Sequence, residues 1–344
     1  MTAHRDLKNL IPERKEKTGE SYTAARAQVM HERAELLGLA PEGTRPTLAA
    51  TPRVEAVVLK VNRRTARVRI LGEAGEVTFR SGDVWDVVPG HLVTLVIGRR
   101  WTFRGDAYAS GKLENARIDV AKLGLEPLPL EGGELDDASN YEPYRRPDPY
   151  APLWRKLTAK PRPSFEFDPI AWGALPGMGI DENPTCDAAE LAEGGDREGA
   201  RQLVMEVLGS ELRCLDAHAQ LGTLEFERSP VRAIVHYEIG IRIGELSLPA
   251  GFDGLLVWGR LYNRPFLRCL HGYGLCLWRL GRVAQAQQVF ERILSLNPND
   301  NQGVRFCWED IRKGRSWEAL RERERTEQQP DLCCVACPQS EFVA

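Results

Sequence analysis

The stretch GLCLWRLGRVAQAQQVFERILSLNPND, which runs from Gly274 to Asp300, decides the fold of the C-terminal half of this 344-residue chain. Apolar residues recur in it at helical spacing, which predicts one helix from Arg268 to Leu280 and another from Val283 to Ser295. Gly274 is small enough to let two helices pack closely. Gly281 suits the left-handed residue that often ends a helix. The stretch is therefore predicted to form a helical hairpin.

Two upstream segments follow the same pattern of small and apolar residues, with Gly222 at the position of Gly274. The predicted units are 181–214, 215–247 and 267–300, and helices from Asn301 onward would form a polar cap. Three units are the usual minimum for a stable stack of repeats. Residues 181–327 are therefore expected to be an α-solenoid of about three helical hairpins.

The insertion 246–266 interrupts the period of these units and is rich in glycine, proline and large apolar residues. Long ordered insertions of this kind either cover a groove or carry a functional site. A catalytic site in the insertion would need polar groups that converge beside Trp258 and Asn263.

The composition is that of a soluble globular protein, since 42% of the residues are hydrophobic, 28% are charged and the formal net charge is −3. This charge gives no general argument for nucleic acid or for a membrane. The sequence has no apolar run of about 18 residues. Its N-terminus lacks an apolar signal core, so we expect a cytoplasmic protein. The eight cysteines are then expected to be free thiols.

Residues 53–112 change period, and their alternation of apolar and polar residues predicts five or six short strands in a small β-barrel of the OB or SH3-like kind. This segment carries eleven Lys/Arg against six Asp/Glu, a local excess of five positive charges. Basic residues with exposed aromatic rings are typical of proteins that bind single-stranded nucleic acid. In the alternative interpretation, Trp101 and Phe103 face the core and the arginines serve solubility or a protein contact. The candidate nucleic-acid-binding residues are Arg64, Arg99, Arg100, Trp101, Phe103 and Arg104.

The remaining segments are predicted from their composition. Residues 1–40 are expected to be a helical segment, which suits a docking or dimerising hairpin better than a DNA-reading helix because its second helix is rich in alanine. Residues 113–180 are rich in proline and glycine and are expected to form an extended strap against the repeats. Residues 328–344 are expected to be a disordered tail.

Signals for catalysis and for metal binding are weak. Residues 105–112, GDAYASGK, differ from a phosphate-binding loop in their spacing and lack the hydroxyl residue that meets magnesium. Cys214 and His218 would share a helix face but provide only half of a zinc site, and the tail has one CxxC pair without a second. We therefore predict no enzyme activity, no cofactor and no bound metal.

Residues 267–300 resemble a tetratricopeptide (TPR) repeat in the spacing of six residues, which are Gly274, Leu277, Gly281, Ala286, Phe290 and Pro298. The whole chain resembles bacterial cytoplasmic TPR proteins that have a small N-terminal β-module and no assigned activity. The resemblance implies a concave groove that binds a protein or peptide partner. Its lining residues would be Arg268, His271, Leu275, Trp278, Arg279, Asp216, Phe226 and Glu227.

The sequence thus predicts a multidomain α+β protein with an N-terminal helical segment, a small β-barrel and a C-terminal α-solenoid. The leading functional hypothesis is a non-enzymatic adaptor that holds a partner protein in the groove. The alternative is a nucleic-acid-binding protein that acts through the basic β-module. No membrane contact is expected.

Overall fold

The computed structural model describes residues 52–136, 149–174 and 182–328 of the chain. These residues belong to one compact unit that begins at Pro52. The predictions for residues 1–40 and for the tail, both its disorder beyond Gln328 and its cysteines, lie outside the described residues.

Five strands form the closed barrel that the alternating segment predicts. Their order around the barrel is β1-β2-β3-β5-β4; β1 closes it by pairing antiparallel with β4, and β3 and β5 run parallel. The last strand continues beyond Lys112, where the predicted module ended, because it pairs with β4 over nearly its whole length. The strands are β1 (Arg53–Val61), β2 (Thr65–Ile70), β3 (Val77–Arg80), β4 (His91–Phe103) and β5 (Asp106–Ile118).

The strap contains more regular structure than its composition predicts. Strands β6 (Leu130–Asp136) and β7 (Arg162–Phe167) form an antiparallel two-stranded sheet, and helix α1 (Ala151–Leu157) lies between them in the chain. The backbone amide of Phe165 donates to the carbonyl of Leu255 in the insertion at 2.9 Å. The ring of Phe167 packs on Phe266 at 5.3 Å. The strap therefore contacts the helical region, which supplies a hydrogen-bond acceptor and an aromatic neighbour for β7.

Eight further α-helices follow in the described part of the chain, and short connections join them into successive pairs. Within them, α4 packs on both α5 and α6, and α6 packs on α7. The predicted helices at the decisive stretch are confirmed to within a few residues. The helices are α2 (Pro184–Glu193), α3 (Arg197–Ser210), α4 (Leu215–Phe226), α5 (Pro230–Glu245), α6 (Arg264–Arg279), α7 (Val283–Leu296), α8 (Val304–Arg312) and α9 (Trp317–Gln328).

Two glycines at the α6–α7 hairpin have the roles that the sequence predicts. A Cβ atom on Gly274 would stand 2.5 Å from the ring of Phe290, so any larger residue there would require this ring or the helices to shift. Gly281 has φ +74°, the left-handed conformation that ends α6.

The barrel and the helices share one hydrophobic core. Strand β1 packs on α3, and Lys60 of that strand forms an ion pair with Glu206 of α3. The two modules that the sequence suggests are therefore joined by a continuous apolar interface. None of the helices in the described ranges is both long enough and apolar enough to cross a membrane.

Candidate nucleic-acid interface

The hairpin of β4 and β5 extends past the body of the barrel. Strand β1 covers β4 only as far as Val96, whereas β4 and β5 continue to pair up to Phe103 and Asp106. Arg104 (φ 53°) and Gly105 (φ 89°) form the tip. A two-residue turn with both φ angles positive is the I′ type that matches the twist of a hairpin. The tip is exposed.

Two aromatic rings form a stacked pair on the outer surface of this hairpin. Trp101 and Tyr108 are directly opposite each other across β4 and β5, and their ring centroids are 5.6 Å apart with an interplanar angle of 10°. Both side chains are partly exposed. The guanidinium carbon of Arg80, on β3, lies 5.6 Å from the centroid of Trp101 and 5.8 Å from that of Tyr108. The three side chains therefore make one aromatic and cationic surface.

Two more arginines and a phenylalanine extend this surface toward the tip. Arg99 lies over Trp101 at 5.7 Å, and Arg104 lies over Phe103 at 5.3 Å. Phe103 is 58% exposed. Among the described residues, no carboxylate pairs with Arg80, Arg99 or Arg104. We call the set the aromatic–arginine face, and its members are Arg80, Arg99, Trp101, Phe103, Arg104 and Tyr108.

The other two predicted nucleic-acid residues have different surroundings. Arg100 makes a bidentate ion pair with Glu73, at 2.7 and 2.8 Å, and this hydrogen bonding lowers the pKa of the Glu73 carboxyl. Arg100 is thus already neutralised and does not belong to the aromatic–arginine face. Arg64 is exposed in the β1–β2 turn, next to Thr65, which pairs with Arg80 in the sheet.

Sequence reasoning did not include Arg80 and Tyr108 among the candidates. Alternation places Phe79 inside the barrel and Arg80 outside, so the outward direction of Arg80 was available from the sequence. The parallel pairing of β3 with β5 brings Arg80 beside Trp101 and Tyr108, and this pairing could not be read from the sequence.

The predicted groove residues are largely engaged within the chain. Arg268 of α6 donates to the carboxylate of Asp216 on α4 at 2.8 Å, and Asp216 is 2% exposed. Asp216 also accepts a hydrogen bond from Gln220 at 2.8 Å. The Arg268 guanidinium lies 5.8 Å from the ring centroid of Trp258 in the insertion. This pair therefore joins helices and insertion instead of facing an open groove.

Trp278 and Phe226 are covered by the C-terminal helix. Trp278 is 2% exposed, its indole N–H donates to the carbonyl of Arg315 at 3.2 Å, and its ring meets Trp317 edge-on at 5.6 Å. The ring of Phe226 also meets Trp317, at 5.8 Å. Trp278 is consequently not available as an anchor for a partner, contrary to the expectation from the repeat pattern.

Arg279 binds the end of α4. Its guanidinium donates to the carbonyls of Phe226 and Glu227, the latter at 3.2 Å, and lies over the Phe226 ring at 5.3 Å. A cation at a helix C-terminus satisfies free carbonyls and interacts favourably with the helix dipole. Glu227 itself is exposed, with Arg321 of α9 at 3.8 Å.

The last two predicted groove residues are partly buried. The ring of His271 meets Phe290 edge-on at 6.2 Å, and burial lowers the pKa of this histidine to about 4. Leu275 packs against the hydrophobic core. Neither forms part of a charged or aromatic surface comparable to the one on the barrel.

The insertion is held to the strap by a polar side chain. Asn263 is fully buried; its amide oxygen accepts from the backbone N–H of Phe167 at 3.1 Å, and its NH₂ group donates to the carbonyls of Phe165 and Val257. A cleft of 610 Å³ opens beside the insertion, but its lining includes neither Asn263 nor Trp258. The amide group of Asn263 therefore makes only structural hydrogen bonds, between the insertion and the strap. It is not free to act as a polar catalytic group in the insertion.

Cys214 and His218 lie in a buried environment. The Nε2 atom of His218 is 3.0 Å from the carbonyl oxygen of Leu212. Burial raises the pKa of the Cys214 thiol and lowers that of His218 to about 4. In the described ranges there is no group of three or more His, Cys, Asp or Glu side chains arranged to hold a metal ion.

Comparison with known proteins adds no relative to this description. The chain matches no protein-family model, no curated protein and no solved structure.

Proposed function

We propose that this protein binds single-stranded nucleic acid through the aromatic–arginine face of its barrel. The observation that carries the proposal is the stacked pair of Trp101 and Tyr108, flanked by Arg80 and Arg99 without a carboxylate partner among the described residues. Exposed rings stack on bases of any identity, and free guanidinium groups pair with phosphates. The proposed role is binding without catalysis.

The architecture of the barrel supports this proposal. A closed barrel of five strands is typical of the OB type, which binds oligonucleotides with strands β2 and β3 and with the β1–β2 and β4–β5 loops. In this chain the corresponding places carry Arg64 in the β1–β2 turn, Arg80 on β3 and Arg104 at the β4–β5 tip. The local excess of positive charge in the barrel would attract a strand despite the slightly negative charge of the whole chain.

The adaptor hypothesis has less support, although it stays a prediction. Helical pairs that pack in sequence suit a TPR-like scaffold. Most of the residues expected to contact a partner are instead engaged by other parts of the chain, above all Arg268, Trp278 and Arg279.

Fluorescence anisotropy with labelled oligothymidylate and oligouridylate of about 12 nucleotides, at about 50 mM salt, tests the proposal. The wild-type protein should bind both. Replacing the rings in Trp101→Ala with Tyr108→Ala should weaken binding by roughly tenfold or more, since base stacking contributes about 1–3 kcal/mol per base. Arg80→Glu should weaken it further.

Arg228→Glu is the matched control for the charge change. Arg228 is exposed in the α4–α5 connection, and its side chain makes no ion pair or hydrogen bond among the described residues, so its reversal should leave binding unchanged. Absence of binding by folded wild-type protein at low salt would refute the proposal. Equal losses in Arg228→Glu and Arg80→Glu would mean that only the overall charge matters.

A further inference from the structure

A second candidate site lies where the barrel meets the helices. An inner cavity of 190 Å³ opens between the β1–β2 turn and helices α3, α4 and α5. It adjoins an outer cavity of 330 Å³, with which it shares Arg63, Arg201 and Met205 among its lining residues. Neither cavity includes a residue of the aromatic–arginine face.

The walls of the inner cavity are apolar. They are built from side chains on separate elements, chiefly Val87 and Val88 before β4, Met205 on α3 and Leu221 on α4. Each of these side chains is at most 9% exposed. A flat apolar body of one or two rings fits such walls, because burial of apolar surface favours binding.

The polar groups of the inner cavity are mainly cationic. Arg63, Arg201 and Arg232 line it together with one carboxylate, that of Glu225. Arg232 approaches Glu225 only to 3.7 Å. Arg201 makes one similarly long contact, 3.7 Å to Glu198, and in the described part of the chain Arg63 has no carboxylate partner. These guanidinium groups retain donors for an anion, which would normally bind at about 2.8 Å.

A buried histidine adds an unpaired polar atom. His236 lines the inner cavity, is 3% exposed, and its Nδ1 has no hydrogen-bond partner among the described residues. Buried polar atoms are nearly always paired, so this nitrogen has an unused capacity for a hydrogen bond. Burial is the main cause that lowers the pKa of His236, followed by the charges of His218 and His91 and then by those of Arg232 and Arg201.

We propose that this cavity binds a small amphipathic anion, with a flat apolar body between Val88, Met205 and Leu221 and one carboxylate or phosphate group held by Arg63 and Arg201. The proposal does not rest on nucleic-acid binding, because neither cavity includes a residue of the aromatic–arginine face.

Isothermal titration calorimetry of the full chain with 2-naphthoate and with its uncharged amide, 2-naphthamide, tests the proposal. The acid should bind at one saturable site, and the amide should bind at least about tenfold more weakly, because a charge-assisted hydrogen bond is lost. Arg63→Glu should weaken naphthoate binding by about tenfold, while Arg228→Glu should not. Met205→Trp, which fills the cavity, should abolish binding.

Circular dichroism establishes whether each variant is folded. If Met205→Trp does not fold, Arg63→Glu still tests the site, because Arg63 is an exposed turn residue whose replacement should keep the fold. Equal affinity for acid and amide would overturn the proposal, and so would naphthoate binding that survives Arg63→Glu. Failure of folded wild-type protein to bind naphthoate at millimolar concentration would count against it too. None of these results bears on oligonucleotide binding, which the Arg80→Glu variant measures separately.

Discussion

Arg268 and Asp216 form an ion pair between α6 and α4, with 2.8 Å between the guanidinium nitrogen and the carboxylate oxygen. The Asp216 side chain is 2% exposed, whereas that of Arg268 is 43% exposed. Removal of the arginine would therefore leave a buried carboxylate without its cation. A residue that the repeat pattern assigns to a binding groove serves here to hold two successive helical pairs together.

Arg268→Ala should lower the free energy of unfolding by roughly 1–3 kcal/mol, since it leaves the buried Asp216 carboxylate without its cation while water screens the half-exposed arginine. Urea denaturation at neutral pH measures this. The matched control is Arg264→Ala, because Arg264 is on the same helix and over the same Trp258 ring, at 5.3 Å, and hydrogen-bonds to the Trp258 carbonyl instead of a carboxylate. Equal losses in the two variants would show that the ion pair contributes nothing measurable.

Gly274→Ala should destabilise the protein by about 1–3 kcal/mol through overpacking against Phe290, in spite of the higher helix propensity of alanine. Gly209→Ala is the control, because its Cβ would meet only Lys60, at an ordinary 3.5 Å. Both substitutions replace a helical glycine by alanine and so change helix propensity alike. The difference between their midpoints of urea denaturation therefore measures the cost of the contact with Phe290. Similar midpoints would mean that Phe290 moves aside without cost.

Stability should fall as the pH is lowered from about 6.5 toward about 4. Burial lowers the pKa of His91, His218 and His271 to about 4, and that of His236 well below 6.5. Below pH 6.5 the unfolded chain binds protons that the folded chain does not, so each histidine removes roughly 1.4 kcal/mol per pH unit in this window. The stabilisation is complete above pH 6.5.

Denaturation curves at pH 7.0 and 5.5 measure this loss, and carboxylates with ordinary pKa values near 4 contribute little in that range. His236→Phe should show a smaller loss between the two pH values, because one titrating group has been removed. The same loss in wild type and variant would exclude His236 as a source of the pH dependence.

Replacing Phe103 and replacing Trp278 by alanine should have different effects on the free energy of unfolding. Phe103→Ala should leave the free energy of unfolding within about 0.5 kcal/mol of wild type while weakening oligonucleotide binding, because the side chain is 58% exposed. Trp278→Ala should cost about 3–5 kcal/mol, because the ring is buried beside Trp317. A large loss of stability in Phe103→Ala would place that ring in the core, as the alternative interpretation of the barrel had it.

The slope of affinity against salt concentration tests the arginines of the aromatic–arginine face as a group. Three phosphate contacts, from Arg80, Arg99 and Arg104, predict a slope of log K against log salt of about −2 for a single strand. Arg104→Ala should reduce the magnitude of that slope by about 0.7. An unchanged slope would mean that the tip arginine does not reach a phosphate.

The helices and strands were largely predictable because their signals are local. Gly274 and Gly281 mark the close approach and the end of α6 within a few residues of the apolar stripe that they serve. The strap was harder to predict, because β6 and β7 are far apart in sequence and find each other only in the folded chain.

The candidate sites divide in the same way. The sequence by itself determined the alternating barrel strands, the helical hairpins and the surplus of arginines near Trp101, because periodicity and composition act over a few neighbouring residues. Only the tertiary structure decided that Arg80 flanks the Trp101–Tyr108 stack while Arg100 and Arg268 are paired with Glu73 and Asp216. Such choices depend on strand pairing and helix packing between distant segments, which the order of residues along the chain does not display.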